Sequence, residues 1–266
     1  MTMRDDLALY CRYLRLSFRA QLEYRASFLM LALGSFVASG MEIVGIWALF
    51  ARFRTLRGWT LPEVALCYGI AHISFALAEA VGRGFDTFDR QVKSGEFDRL
   101  LLRPRSLVLQ VAAGEVQLLK VGRFVQGLLV LVWAFLHLSE PAGLRQLALA
   151  GLAIAGGTAL FLGLFVLQAT MSFWTTESLE VMNTVTYGGT ETAQYPLDIY
   201  RPWFRRFFTF VVPLACVGYL PVLGILKPGT VAPWVPFAAP LAGVAFLLVA
   251  LRLWRVGVRH YTSTGS

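Results

Sequence analysis

Charge is what this sequence has least of. Only 15% of its 266 residues are Asp, Glu, Lys or Arg, against roughly 25% in soluble domains, and the mean hydropathy is +0.61. So little polar surface cannot cover a water-soluble particle of this length, and the composition is that of an integral membrane protein. Cysteine is equally scarce. Cys11, Cys67 and Cys216 are odd in number and far apart, which excludes a disulfide framework and a thiolate metal site. The three histidines, His72, His137 and His260, fall in separate segments, and neither H-E-x-x-H nor G-x-S-x-G occurs. Metal-dependent and serine hydrolases are left without a motif. No Gly-Lys pair occurs anywhere, so the chain lacks the G-x-x-x-x-G-K-[ST] loop that cradles nucleotide phosphates. No metal site and no catalytic role are expected of it. No internal repeat is visible either.

What the chain does have is long apolar runs. A bilayer core asks for roughly 20 residues per helix, and six windows fit: 27–50, 61–81, 122–138, 146–172, 207–226 and 235–253. The expected fold is all-α, with residues 27–266 forming one six-span transmembrane domain. Segment 106–138 reads as one long helix, its mixed first half at the interface with Lys120 and Arg123 snorkelling towards it. Pro213 and Pro221 read as kinks within the fifth span. Residues 175–206 are polar and Thr-rich, and read as a loop or a partial re-entry. The fourth span carries Gly151, Ala155, Ala159 and Gly163 at every fourth position, a small-residue seam that lets two membrane helices approach.

Ahead of the spans, residues 1–26 place Leu7, Tyr10, Cys11, Leu14, Phe18 and Leu22 on one helical face, with Arg12, Arg15 and Arg19 beside it. That pattern predicts an amphipathic helix in the headgroup layer. With the N-terminus inside, nineteen Lys and Arg fall on the cytoplasmic side, Arg201, Arg205 and Arg206 among them. Five fall outside: Arg52, Arg54, Arg57, Arg145 and Lys227. The asymmetry predicts a multi-pass protein of the cell (inner) membrane with both termini cytoplasmic. It also assigns the net charge of +8 to membrane lipid, not to nucleic acid.

Two sets of residues carry the functional expectation. The first is the connection 82–106, the most charged loop in the chain. Phe85, Phe88 and Val92 recur at i, i+3 and i+7, which predicts a short amphipathic helix stopped by Gly95; Glu96, Phe97, Asp98, Arg99, Arg103 and Pro104 follow. The second is the ionisable residues inside spans, Glu42, His72 and Glu79. A buried carboxylate costs about 2.5–3.5 kcal/mol to insert and normally meets a partner or a wet cavity. Two readings stand: a lining for polar or cationic cargo, or interhelical hydrogen bonds that fix packing.

The segments LEYRASFLM, VKSGEFDRLLLRP and QYPLDIYRPWFRRFFTFVVPLACVGYLP occur in that order. Together they resemble the membrane-spanning permease subunits of type-2 ABC exporters, over residues 23–221. The resemblance implies a permease that pairs with itself or with a sister permease. It implies two copies of a separate P-loop ATPase subunit, which hold the ATP and Mg, so this chain needs no cofactor of its own. It also implies that the ATPase docks on Phe85, Phe88, Val92, Gly95, Glu96, Phe97, Asp98, Arg99, Arg103 and Pro104, with the N-terminal helix beside them. Glu42 and Glu79 then point to an amphipathic organic cation as cargo. The competing expectations are a proton-coupled secondary transporter using Glu42, His72 and Glu79, which should show inverted repeats, and a membrane scaffold or sensor without transport.

Overall fold

A computed structural model describes residues 25–115, 121–139, 141–175 and 179–262, together with six isolated positions between Tyr10 and Glu23. Most of the expected interfacial helix, 1–26, and Lys120 lie outside the described residues. The described chain is helical throughout, with one isolated bridge, Leu56 to Trp59, and no strand. Its helices are α1 (Arg25–Phe53), α2 (Leu61–Asp86), α3 (Phe88–Lys93), α4 (Glu96–Leu101), α5 (Leu107–Gly114) and α6 (Val121–His137). They continue with α7 (Leu144–Met171), α8 (Leu179–Ala193), α9 (Pro202–Phe210), α10 (Leu220–Leu226), α11 (Val235–Ala238) and α12 (Leu241–His260). Four stretches are long and apolar enough to cross a membrane: α1, α2 with α3, α7, and α11 with α12. α6, at 17 residues, is shorter.

Helix α2 is the centre of the bundle. Thr60 and Pro62 start it, with the Glu63 carboxylate accepting from the Thr60 N–H at 2.7 Å and from its hydroxyl at 2.9 Å, the usual reciprocal cap. Nearly every residue from Val64 to Ala78 is buried, because α6, α7, α5 and α8 pack around it. Such all-round apolar burial is what a helix hydrophobic on every face requires. Gly84 lets α5 cross: a Cβ there would collide with the Val111 carbonyl. By contrast α1 buries only Ser39, Ile46 and Phe50. Its outer face, with Met30, Leu33, Val37, Met41 and Trp47 exposed, suits lipid.

Two expectations about the spans need correction. Segment 106–138 is not one helix: α5 ends at Gly114 and Glu115 is extended (φ −137°, ψ 113°). The Glu115 carboxylate turns back to accept a 2.5 Å bond from the Thr87 hydroxyl, an attachment a continuous helix would not permit.

Segment 207–226 is also broken. α9 and the stretch Ala215–Leu226 meet at 83°, beside Pro213, which has no N–H to continue a helix. Pro221 sits in the first turn of α10, where the missing donor costs nothing. Both flanks of this unit return to one residue. Trp59 Nε1 donates to Asp198 Oδ2 at 3.1 Å, and Lys227 Nζ lies 4.3 Å from the Trp59 ring. Both flanks of the unit therefore lie at the Trp59 end of the bundle. Arg201, Arg205 and Arg206, within two turns of that anchor, belong to the same end, not to the opposite one.

The strand of chain that runs the length of the bundle is α8. Near its start the Asn183 side chain accepts from Gln168 (3.1 Å), and Tyr187 bonds to Arg83 and Asp86. Beyond its end Asp198 reaches Trp59. Two of its threonines hide their polarity by donating back one turn, Thr190 to the Thr186 carbonyl (3.2 Å) and Thr192 to the Gly188 carbonyl (2.7 Å). Hydropathy alone does not register such a helix.

The seam in α7 is only partly used. Gly163 packs against Phe246 and Leu247 of α12, but Gly151 meets nothing within 4 Å and Ala155 is exposed. The closest approaches lie a residue or two along: Gly156 against Pro240, and Gly157 against Ser74.

Candidate functional site

At the end of the bundle opposite Trp59, α3 and α4 fold back under the helices. Gly95 joins them at φ +70°, a backbone that a side chain disfavours. The apolar ridge expected here is present, but it faces inward. Phe85, Phe88, Val92 and Phe97 are all buried. Phe88 lies 5.0 Å from Phe97 and 4.9 Å from Trp254, and Phe97 lies 4.9 Å from Tyr261, centroid to centroid. Phe173 completes the cluster, 5.1 Å from Trp254. In this chain Phe85, Phe88, Val92 and Phe97 face the bundle and not its surface. The three phenylalanines among them tie the loop to Phe173 just after α7, to Trp254 of α12 and to Tyr261 just after it, largely through edge-to-face ring pairs, each worth about 0.5–1.5 kcal/mol beyond burial. Asp98 is half-buried beside Tyr261. Burial first, and then the Asp98 carboxylate, raises the Tyr261 phenol above its usual range. What the loop exposes is Glu96, Arg99, Leu101, Leu102, Arg103 and Pro104, with Leu102 at 85%.

Above the loop a charge network ties four helices together. Glu79, wholly buried, meets Arg123 at 3.2 Å and Arg83 at 3.4 Å. Arg83 also pairs with Asp86 and donates to the Tyr187 hydroxyl at 2.9 Å. Gln168 donates to Asp86 Oδ1 at 3.1 Å, and Arg123 lies 5.1 Å from the Phe75 ring centre. Two carboxylates and two guanidiniums make the set neutral, the condition for charge to persist in a low dielectric. Glu79 is legible in the sequence as a candidate, but its partners are less so. Arg83 and Asp86, at i+4 and i+7 from it, were legible by helical spacing; Arg123, Gln168 and Tyr187 come from other helices.

Glu42 and His72 do meet, at 3.4 Å between Oε2 and Nε2. Glu79 lies apart from them, in the charge network. Around Glu42 stand Tyr68, stacked on His72 at 3.8 Å, and Gln194 from beyond α8. Gln126 donates to the Tyr68 hydroxyl at 3.2 Å. Glu191 and Gln194 carry no motif and sit in the polar segment, so periodicity could not find them. Among the described residues no three His, Cys, Asp or Glu gather into a metal-binding group.

This geometry combines membrane-length helices, polar groups sunk among them and an exposed charged loop braced from behind. The sequence matches the family described as ABC-2 family transporter protein over residues 36–265. The chain belongs to that family. No curated protein and no solved structure matches it. As an ABC-2 permease-type chain it is a multi-pass membrane transport component. The family match takes in the whole described bundle from Phe36 onward, including the loop, the charge network, Glu42 and α8.

Proposed function

We propose that this ABC-2 chain is the membrane-spanning permease subunit of an ATP-driven exporter. It pairs with a second permease chain, and two copies of a separate P-loop ATPase, carrying ATP and Mg, drive it through the loop after α2. The observation that carries this reading is the loop. Its inner face is locked into the aromatic cluster while Glu96, Arg99, Leu102 and Arg103 project outward, so force applied from outside reaches α7 and α12 without local yielding. The docking surface is accordingly the exposed set, with Gly95 setting the turn. The exposed polar residues of α8, Asn183, Thr184 and Glu191, suit neither lipid nor a dry interface. They favour a wet pathway between paired permeases. Against a proton-coupled carrier stands Glu79, whose carboxylate is held by two arginines.

Affinity purification of the tagged chain in mild detergent is expected to bring down a P-loop protein with vanadate-sensitive ATP hydrolysis. Recovery of the intact chain without such a partner, from cross-linked as well as untreated membranes, overturns the reading.

In the proposed topology the chain crosses six times, with α8 as the fifth crossing, the α9–α10 hairpin dipping in from outside and both termini cytoplasmic. In a chain with Cys11, Cys67 and Cys216 replaced by alanine, Arg205→Cys is expected to react in intact cells with a membrane-impermeant maleimide. Arg99→Cys is expected to react only after permeabilisation. Labelling of Arg205→Cys only in permeabilised cells restores 207–226 as a crossing.

A further inference from the structure

Glu42 is held loosely. Three groups surround its Oε2, each at the outer limit of bonding: the Tyr68 hydroxyl and Gln194 Nε2 at 3.5 Å, and His72 Nε2 at 3.4 Å. Gln194 donates more closely, at 2.9 Å, to Glu191 Oε2. One amide is thus shared between two carboxylates on different helices. No Lys or Arg among the described residues lies within ion-pair distance of either. The contrast with Glu79, two turns along α2 from His72 and matched by two guanidiniums, is sharp. His72 adds a second anomaly. It is 1% exposed, it stacks on Tyr68, and neither ring nitrogen has a hydrogen-bond partner, although Nε2 points at Glu42. Buried polar atoms without partners are rare in native proteins, and each asks for an explanation.

Beside this cluster lies an apolar cleft of about 550 Å³, with Ile43, Trp47, Leu129, Val130 and Trp133 in its walls. That volume falls within the range of small-molecule sites, about 300–1,000 Å³. Tyr68 belongs to both features: its ring lines the cleft, and its hydroxyl faces Glu42 and the Ser39 carbonyl. Two carboxylates that no Lys or Arg among the described residues contacts as an ion pair, next to an aromatic-walled apolar cleft, are complementary to a molecule that brings positive charge and a hydrophobic body together.

We propose that Glu42 and Glu191 seat the charged head of an amphipathic organic cation, with its apolar body in the cleft between α1, α2 and α6. Gln194 and Tyr68 orient the two carboxylates, and His72 supplies a hydrogen-bonding edge beneath the head. Trp47 and Trp133 offer that body broad apolar faces. An inorganic divalent ion is a poorer fit, since two carboxylates leave most of the six to eight oxygens of a calcium site unfilled. The permease reading is needed for this ligand to be cargo, but not for it to bind.

The test uses radiolabelled tetraphenylphosphonium and the full chain in nanodiscs with whatever partners co-purify. Its competitor is tetraphenylborate, of the same shape and opposite charge. Saturable phosphonium binding is expected, weakened at least about tenfold by Glu42→Gln and by Glu191→Gln, unchanged by Glu63→Gln, and not displaced by the borate. Glu191 is exposed, so Glu191→Gln keeps the test valid should Glu42→Gln fail to fold. Equal binding in the folded variants, displacement by the borate at matching concentration, or displacement by calcium alone overturns the proposal. The same preparation separates the two readings. An ATPase present without charge-selective binding removes only the cation site; charge-selective binding without any ATPase removes only the exporter.

Discussion

Arg123→Leu is expected to destabilise the protein by about 3–5 kcal/mol, the usual cost of stripping one partner from a buried ion pair. The carboxylate it abandons, Glu79, is wholly buried, and Arg123 itself is 19% exposed, so water cannot readily replace the lost contact. Arg83 remains, but it already serves Asp86 and Tyr187. In mild detergent the unfolding midpoint is expected to fall by roughly 10 °C, followed by fluorescence-detected size exclusion. A double variant, Glu79→Leu with Arg123→Leu, is expected to lose less than the two single losses combined, because no orphaned charge is left behind. A fall of less than about 2 °C in the single variant means that Glu79 is already solvated and that the network does not hold the four helices together.

The second large effect separates the two faces of the loop. Arg99→Glu combined with Arg103→Glu is expected to reduce cargo-stimulated ATP hydrolysis about tenfold or more, since reversing charge at a docking surface sets like charges against each other. Both side chains are exposed, so the unfolding midpoint should not move. Phe97→Ala is expected to do the reverse. It deletes a fully buried ring that touches Phe88, Phe173, Trp254 and Tyr261, at about 3–5 kcal/mol, and it disables coupling only by loosening the loop. Full coupling in the double arginine variant places the ATPase elsewhere. Unchanged stability in Phe97→Ala removes the brace. Asp98, half-buried against Tyr261, belongs with the brace, which makes it a poorer probe of docking than Arg99.

The residues most easily read from sequence were those whose neighbours lie close along the chain. α1, α7 and α12 follow from hydropathy, and the stop at Gly95 follows from what a positive φ demands. The spacing of Phe85, Phe88 and Val92 correctly showed an apolar face, but an apolar face does not say whether its cover comes from a partner or from the same chain. Here the cover is Trp254, Phe173 and Tyr261. α8 escaped notice for a different reason. Thr190 and Thr192 satisfy themselves against the preceding turn, which lowers the cost of carrying their polarity through the bundle. Glu191 and Gln194 were hidden with it, and the partner of Glu42 could not be named. The prolines of 207–226 were read as kinks because a kink and a hairpin carry the same residues. What favours the hairpin is Trp59, which contacts both flanks.

The aromatic brace also bears on how the protein is made. Phe88 and Phe97 leave the ribosome about 160 residues before Trp254 and Tyr261. At about 5–20 residues per second, these rings wait on the order of 10–30 s for their cover. Until the last helix is inserted, the loop lacks the rings it packs against. If the loop is the docking surface proposed above, a nascent or C-terminally truncated chain presents it unformed, and recruitment of an ATPase would wait until α12 is in place.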